Sequence, residues 1–581
     1  MNLSFLSLLV TLVMMLSACT GLSPRQPAPA AGVDSDVPVS AAPAAATGAA
    51  AQSTAAEDDL LYDILLGEVA GQREQLDVSV EHYQRAAAGS DDPRIAERAL
   101  RIAVFAKQEA AALTAARRWV ELEPESNEAR QSLAALALRA GDVDEAYTQF
   151  DFLLREAQDE TQTYQSLTGL LARNEDREVA LTLMGRLAQS HAQSAQAHLA
   201  YARLALHAEN AELALRETDA ALAIEPDLTD ALVLRAGVRY KLGDAQRAQQ
   251  DLQAAVNAYP KNIELHLALA RLLLDKQDLA GATAQFKQVI KREPGHPDAL
   301  YSLGLLAMEQ QQYKQAETYF RMLVETGKRD HEAWYYLARV QEQRGDLKQA
   351  LLGYERVGDG DYWLDAQARM ASLTAKLGDM ESARQQLQSL RLRDPNLALR
   401  LYLVEGEILS EAGQLREALA LYNQVLAETP NNHDVLYARA LIAERLNDLK
   451  LAEDDLRRII SEDPKNYHAL NALGYTLADR TDRLQEALAL IEKAVALAPD
   501  EPAIVDSLGW VYYRLGNLDA AAEHLKRAYE LSRGDAEIAA HYGAVLWEQG
   551  KRKEARALWD KARRADPENR ALLKTMQKYL L

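Results

Sequence analysis

Along most of the chain, apolar side chains recur at the three- and four-residue spacing of an amphipathic helix. The helical stretches come in pairs joined by short polar turns, commonly Gly-Asp or a close relative: Gly141-Asp142, Gly243-Asp244, Gly345-Asp346, Gly378-Asp379 and Gly516-Asn517. This pattern predicts an all-α chain, and it repeats. Pro226, Pro260 and Pro294 stand 34 residues apart, as do Pro430 and Pro464, and the 102 residues between Pro124 and Pro226 make three such intervals. Units starting near residues 60, 93, 127, 161, 195, 229, 263, 297, 331, 364, 399, 433, 467, 502 and 536 give fifteen helix–turn–helix repeats. That periodicity replaces the roughly four globular domains that length alone suggests at ~150 residues each.

Position by position, the units share a steric logic. The eighth residue is Gly or Ala in thirteen of the fifteen, for example Ala202, Gly304, Gly406, Gly474, Gly509 and Gly543. The twentieth is Ala in thirteen, including Ala146, Ala214, Ala316, Ala418 and Ala555. Small residues at both places let the two helices approach closely. Position twenty-four takes a large group: Tyr83, Phe150, Phe320, Tyr354, Tyr422, Trp559. Proline near position thirty-two ends the second helix, because it lacks an N–H and disfavours helix in the residue before it. In these features the chain resembles the tetratricopeptide repeat over about nine-tenths of its length. The resemblance implies a right-handed α-solenoid of about fifteen units. Residues 58–194 follow the pattern less closely, with Leu100 where a small residue is expected; residues 195–567 follow it well. Residues 568–581 are expected to form the solvating C-terminal cap helix that solenoids need. The turn-rich run Val357-Gly358-Asp359-Gly360-Asp361 is a candidate bend.

The amino terminus differs. Leu3 to Leu16 is an uncharged apolar run whose ~21 Å helical length falls short of a ~30 Å hydrocarbon core. It reads as the h-region of an export signal, residues 1–18. Leu16-Ser17-Ala18-Cys19 resembles the lipobox of bacterial lipoprotein precursors, which implies cleavage before Cys19 and lipidation of its sulfur. Thr20 follows rather than an aspartate, and by the same resemblance this points to the outer membrane, facing the periplasm. Residues 19–57, rich in Ala, Pro, Ser, Gly and Thr, are expected to be a disordered tether.

Composition narrows the chemistry. Cys19 is the only cysteine among 581 residues, so neither an internal disulfide nor a thiolate metal site can form. Lys and Arg number 65 against 86 Asp and Glu, a formal charge of −21 that makes nucleic acid an unsuitable partner. His331-Glu332 begins like an HExxH zinc motif, but Tyr335 stands where the second histidine is needed. His191, His198 and His207 fit no chelating spacing, and Asp359-Gly360-Asp361 does not continue into a calcium loop. Recurrent carboxylates such as Asp230, Asp298 and Asp365 fall at position two of the first helix, where they favour the positive end of the helix dipole. No catalytic, metal or cofactor constellation is legible, and a non-enzymatic role is expected.

What such an array offers is a concave face lined by the first helices. Position nine is Arg at Arg203, Arg271 and Arg339; position five gives Tyr301, Tyr335, Tyr437 and Asn471; Tyr475 sits at nine and Tyr240 at twelve. Arg and Tyr are enriched at binding hot spots, which makes these nine residues the candidates for protein contact, with core packing the competing role for any single tyrosine. Lipobox, Ala/Pro tether and a very long array together resemble pseudomonad outer-membrane lipoproteins that serve a carboxy-terminal processing protease. That resemblance implies an adaptor which binds and activates such a periplasmic serine protease and presents peptidoglycan cross-link hydrolases to it. The alternative is an assembly scaffold or pilotin-like component of a secretion, pilus or exopolysaccharide-export system.

Overall fold

The computed structural model describes residues 50–174 and 176–580, with side chains described from residue 59 to 579. Cys19, the signal segment and most of the expected tether lie outside the described residues. Among those residues the chain forms 31 α-helices and no strand. The described residues divide into two compact units, one ending at Leu306 and the other beginning at Ala307. The first unit holds seven helix pairs, whose first helices begin at Ala50, Pro93, Asn127, Glu160, Ala195, Thr229 and Ile263, and then Pro297–Glu309, the first helix of an eighth pair. The second unit begins in that pair and continues with seven more, opening at Asp330, Trp363, Ala398, His433, Tyr467, Pro502 and Ala536, before the final helix Arg570–Leu580. The fifteen expected pairs are present, most starting on the residue anticipated or one before it.

Local chemistry explains the boundaries. Ser126, Asp142, Asn262, Asn432 and Asn466 each accept a hydrogen bond from a backbone N–H in the first turn of the helix they open. Most turns within a pair place one residue in the left-handed region, whereas the turn after Tyr467–Arg480 passes through an extended Thr481 at φ −140°. Gly141 supplies the left-handed residue at φ 80° in one pair, and its neighbours close the helix with bonds from Gly141 to Leu138 and from Asp142 to Ala137. Where the residue is not glycine, as at Lys107, Glu209, Gln277 and Asn447, the same conformation is held at a cost of about 1 kcal/mol.

Three features depart from the sequence reading or sharpen it. The first helix, Ala50–Gln72, begins inside the segment assigned to the tether rather than at residue 58. Pro43 is the last proline of that segment, and the Ala-rich stretch beyond it has high helix propensity. Leu100 is buried within a cluster that includes Ala96, Ala99, Ala103, Ala112 and Ala116, so small neighbours absorb its bulk. At the turn-rich seam the helix Leu347–Glu355 is only nine residues long, and the Gly358 N–H donates to His331 Nδ1 at 2.9 Å. His331 thus has a structural acceptor role.

The core runs between paired helices where the small positions meet. Ala146, Ala202, Ala214, Ala316, Ala418 and Ala555 are fully buried, and Phe150, Phe320, Tyr354, Tyr422 and Trp559 fill the space beside them. The final helix buries Leu572 and Met576 and leaves Arg570, Lys574 and Lys578 exposed.

Candidate protein-binding site

The structure sorts the nine groove candidates by whether their polar groups are already committed. Arg203 forms an ion pair with Asp230, the position-two carboxylate of the next first helix. Tyr335 is buried: its hydroxyl donates to Asp365, again position two of the next unit, and accepts from Arg339 Nη1 at 3.1 Å. Its ring stacks on Tyr362 at 4.7 Å and meets Tyr336 edge-on at 5.1 Å. Burial, with the Asp365 carboxylate, raises the Tyr335 pKa. Burial alone would raise that of Asp365, but the hydrogen bond from Tyr335 and the charges of Arg369 and Arg339 outweigh it and hold the carboxyl low. Arg369 joins the group with bonds to Asp365 at 2.9 Å and to Glu342 at 3.2 Å. Tyr335 and Arg339 are therefore members of an internal polar network that ties neighbouring repeats together.

Toward the C terminus, Asn471 is partly buried and its Oδ1 has no hydrogen-bond partner among the described residues. Tyr437 packs against a core cluster and lies edge-on to His468 at 6.5 Å; burial raises its pKa. Tyr475 has its pKa raised by burial first and then by Asp479, Asp506 and Glu537. Its ring faces His541 at 6.5 Å, and His541 in turn pairs with Asp506 at 2.9 Å and stacks on Trp510 at 4.5 Å. His541, Asp506 and Trp510 were not anticipated, because they join only when two successive first helices pack side by side.

Tyr301 is also buried. Two candidates remain open. Tyr240 is 40% exposed, and Arg271 is exposed with no ion pair or hydrogen bond among the described residues. They stand on consecutive first helices, Thr229–Lys241 and Ile263–Asp275, that pack against each other.

A second open surface lies on the first helix. Leu61, Leu65 and Val69 follow one another at four-residue intervals and are 56%, 55% and 41% exposed, with Tyr62 beside them at 61%. This exposed apolar stripe is a candidate interaction surface. These residues fall within 58–194, which the sequence predicts as helical repeats, where apolar side chains at four-residue spacing read as the buried face of a helix. Among the described residues, no group of three or more His, Cys, Asp or Glu could hold a metal ion, and no helix is long and apolar enough to cross a membrane.

Comparison with known proteins agrees with this architecture. The tetratricopeptide repeat family matches residues 233–297, 267–329, 301–362, 369–433, 403–467, 437–502 and 471–536, and a second tetratricopeptide repeat description matches residues 512–579. The chain is a tetratricopeptide-repeat protein. It thereby belongs to a class of protein-binding scaffolds. This tetratricopeptide-repeat protein is 35% identical over 541 residues to TPR repeat-containing protein PA4667 of Pseudomonas aeruginosa, covering 92% of this chain and 89% of that one. Type IV pilus assembly protein PilF of the same organism is 25% identical over 171 residues, 29% of this chain and 65% of PilF. Cellulose synthase 2 operon protein C of Komagataeibacter xylinus is 26% identical over 182 residues, 31% of this chain and 13% of that protein.

Proposed function

We propose that the protein is a lipid-anchored periplasmic adaptor, held at the outer membrane through Cys19. In this reading it binds and activates a carboxy-terminal processing serine protease and presents peptidoglycan cross-link hydrolases for degradation. The observation that carries an adaptor role is the exposed apolar stripe Leu61, Leu65, Val69 on the first helix, remote in sequence from the open groove residues Tyr240 and Arg271. Two separate contact surfaces on one scaffold can hold a protease and its substrate together, so that cleavage responds to a raised effective concentration rather than to new chemistry. The protease residues would all belong to the partner. Support for this particular partner comes from the lipobox, the tether and the length of the array.

The test is reconstitution. A purified carboxy-terminal processing protease from the same bacterium is incubated with a cell-wall endopeptidase, with and without the full chain. Faster cleavage is expected with the full chain, and its loss in the Leu61→Asp/Leu65→Asp variant. An unchanged rate with the unsubstituted chain overturns the adaptor reading. Anchoring is tested separately: Cys19→Ser is expected to release the protein from the membrane fraction, and continued sedimentation with it refutes the lipid anchor. The partial likeness to PilF favours a second reading, an assembly scaffold for a pilus or secretion system, which co-purification of a secretin with the chain would support.

A further inference from the structure

The last 31 residues, 551–581, carry ten Lys and Arg against four Asp and Glu, a net charge of +6, which leaves −27 on residues 1–550. All ten cations are exposed, and none forms an ion pair among the described residues. This contrasts with the repeats before them, where arginines pair heavily with carboxylates, as in Arg457–Glu486, Arg483–Glu453 and Arg439–Asp455. Part of the set frames an aromatic patch. Trp547 and Tyr579 lie 6.0 Å apart, with Arg552 and Arg556 over the Trp547 ring at 5.2 and 5.6 Å and Lys578 over Tyr579 at 4.9 Å. Leu573, on the final helix, is 40% exposed.

We propose that this end of the protein docks on an anionic phospholipid surface. Partly exposed Trp and Tyr with long basic side chains are the residue mixture that sits at a membrane–water boundary, where the ring takes the interfacial layer and the cation reaches the phosphates. Ten cations, nine of them distributed over the helices Arg552–Ala565 and Arg570–Leu580, match a plane of headgroups better than a single anionic group, since each contributes separately and no register is required. A second copy of the chain fits less well: many of its carboxylates are already paired with arginines, and its charge of −27 is spread over 550 residues. The proposal rests on the lipid-anchored reading in one respect. A chain tethered by Cys19 meets a bilayer at high effective concentration, so a weak polybasic contact suffices as the second attachment.

The experiment uses the full chain carrying Cys19→Ser, so that no acyl group contributes. Its sedimentation is compared on vesicles of phosphatidylcholine alone and of phosphatidylcholine with an equal part of phosphatidylglycerol. Preference for the anionic vesicles is expected, weakening as salt rises. It is expected to fall about a thousandfold or more when Lys553, Arg563, Arg564 and Lys574 are changed to Glu, and less in the milder set of changes to Gln; all four are exposed. Equal binding to both vesicle types, or an unchanged preference in the Glu variant with helical circular dichroism intact, overturns the proposal. Salt-sensitive self-association that depends on the same four residues, without vesicle binding, overturns it in favour of a second copy. Lipidation of Cys19 is read separately by palmitate labelling in cells, so either result stands without the other.

Discussion

Gly474 and Gly237 look interchangeable as mid-helix glycines, yet the structure predicts opposite outcomes when each becomes alanine. A Cβ on Gly474 would lie 2.5 Å from Ile491 Cγ1, 3.2 Å from Ile491 Cδ1 and 3.1 Å from the Ala487 carbonyl oxygen. Ile491 and Ala487 are fully buried. Isoleucine is stiff at χ1 and cannot swing aside, and the carbonyl belongs to the backbone of helix Leu484–Leu497, so relief means parting two helices. Overpacking of this kind costs about 1–3 kcal/mol, here at the upper end, and alanine's better helix propensity returns about 1 kcal/mol. The net is a local destabilisation of about 1–2 kcal/mol. Gly237 lies exposed within helix Thr229–Lys241, and a Cβ added there would meet nothing within 4 Å. Gly237→Ala therefore gains about 1 kcal/mol. Because repeats contact mainly their neighbours, one melting temperature averages over many partly independent units. Hydrogen exchange followed by mass spectrometry resolves them. Exchange in residues 467–497 should speed up about tenfold in Gly474→Ala, and exchange in residues 229–258 should slow about fivefold in Gly237→Ala. If Gly474→Ala slows exchange as well, the small residue at position eight is not there to let the helices approach, and the steric reading of the repeat fails.

Three further outcomes follow from buried polar groups. Glu405 is 2% exposed and accepts from Arg384 Nε and Arg391 Nη1, both at 2.7 Å; Glu405→Ala strands the mostly buried Arg391 and should cost about 3–5 kcal/mol locally, seen as lost exchange protection in residues 380–411, whereas Arg384→Ala should cost much less. Tyr335→Phe removes the hydroxyl that donates to Asp365 and accepts from Arg339, and should destabilise residues 330–376 by about 1–2 kcal/mol by the same measurement, with no effect expected if that network is cosmetic. Burial pulls the His541 pKa down, but Asp506, with Glu537 and Asp479 beyond it, outweighs burial and raises it. A folded-state value above the unfolded one gives stability that is full below the unfolded pKa and is lost as pH rises through the folded pKa. Exchange protection in residues 502–548, corrected for intrinsic rate, should therefore fall as pH rises above about 6.5, and Asp506→Asn should flatten that dependence.

Much of the fold was legible because the signals are local. Proline at the end of the second helix, a turn residue able to take the left-handed region, and small residues at positions eight and twenty each act within a few residues of where they are read. The starts at Pro93, Asn127, Ala195, Thr229, Ile263, His433 and Ala536 agree with the spacing of the repeats. The start at Ala50 was missed because alanine raises helix propensity and also dominates flexible tethers, and only the loss of proline after Pro43 separates the two. The groove was harder to read. Whether an arginine is available to a partner depends on what faces it about 27 residues further along, as Asp230 faces Arg203, and position numbers within one unit do not contain that.

The pairing of Arg203 with Asp230 changes the meaning of the position-two carboxylates. Each lies at the start of a first helix, where it favours the dipole, but it also stands beside the preceding first helix, where it can accept from a position-nine or position-five group. Asp365 does so from Tyr335, with Arg369 of its own helix adding to the contact. Residue types that suggest a protein-binding groove can therefore be consumed in joining one repeat to the next. A partner that used Arg203 or Tyr335 would first have to displace an existing carboxylate, and the interaction gained would be offset by the one lost. Arg271 has no carboxylate to displace among the described residues, and the exposed ring of Tyr240 stands on the adjoining first helix. Recognition along this face should thus concentrate where the lateral chain of pairs is interrupted, at residues 229–275, rather than run evenly along fifteen repeats.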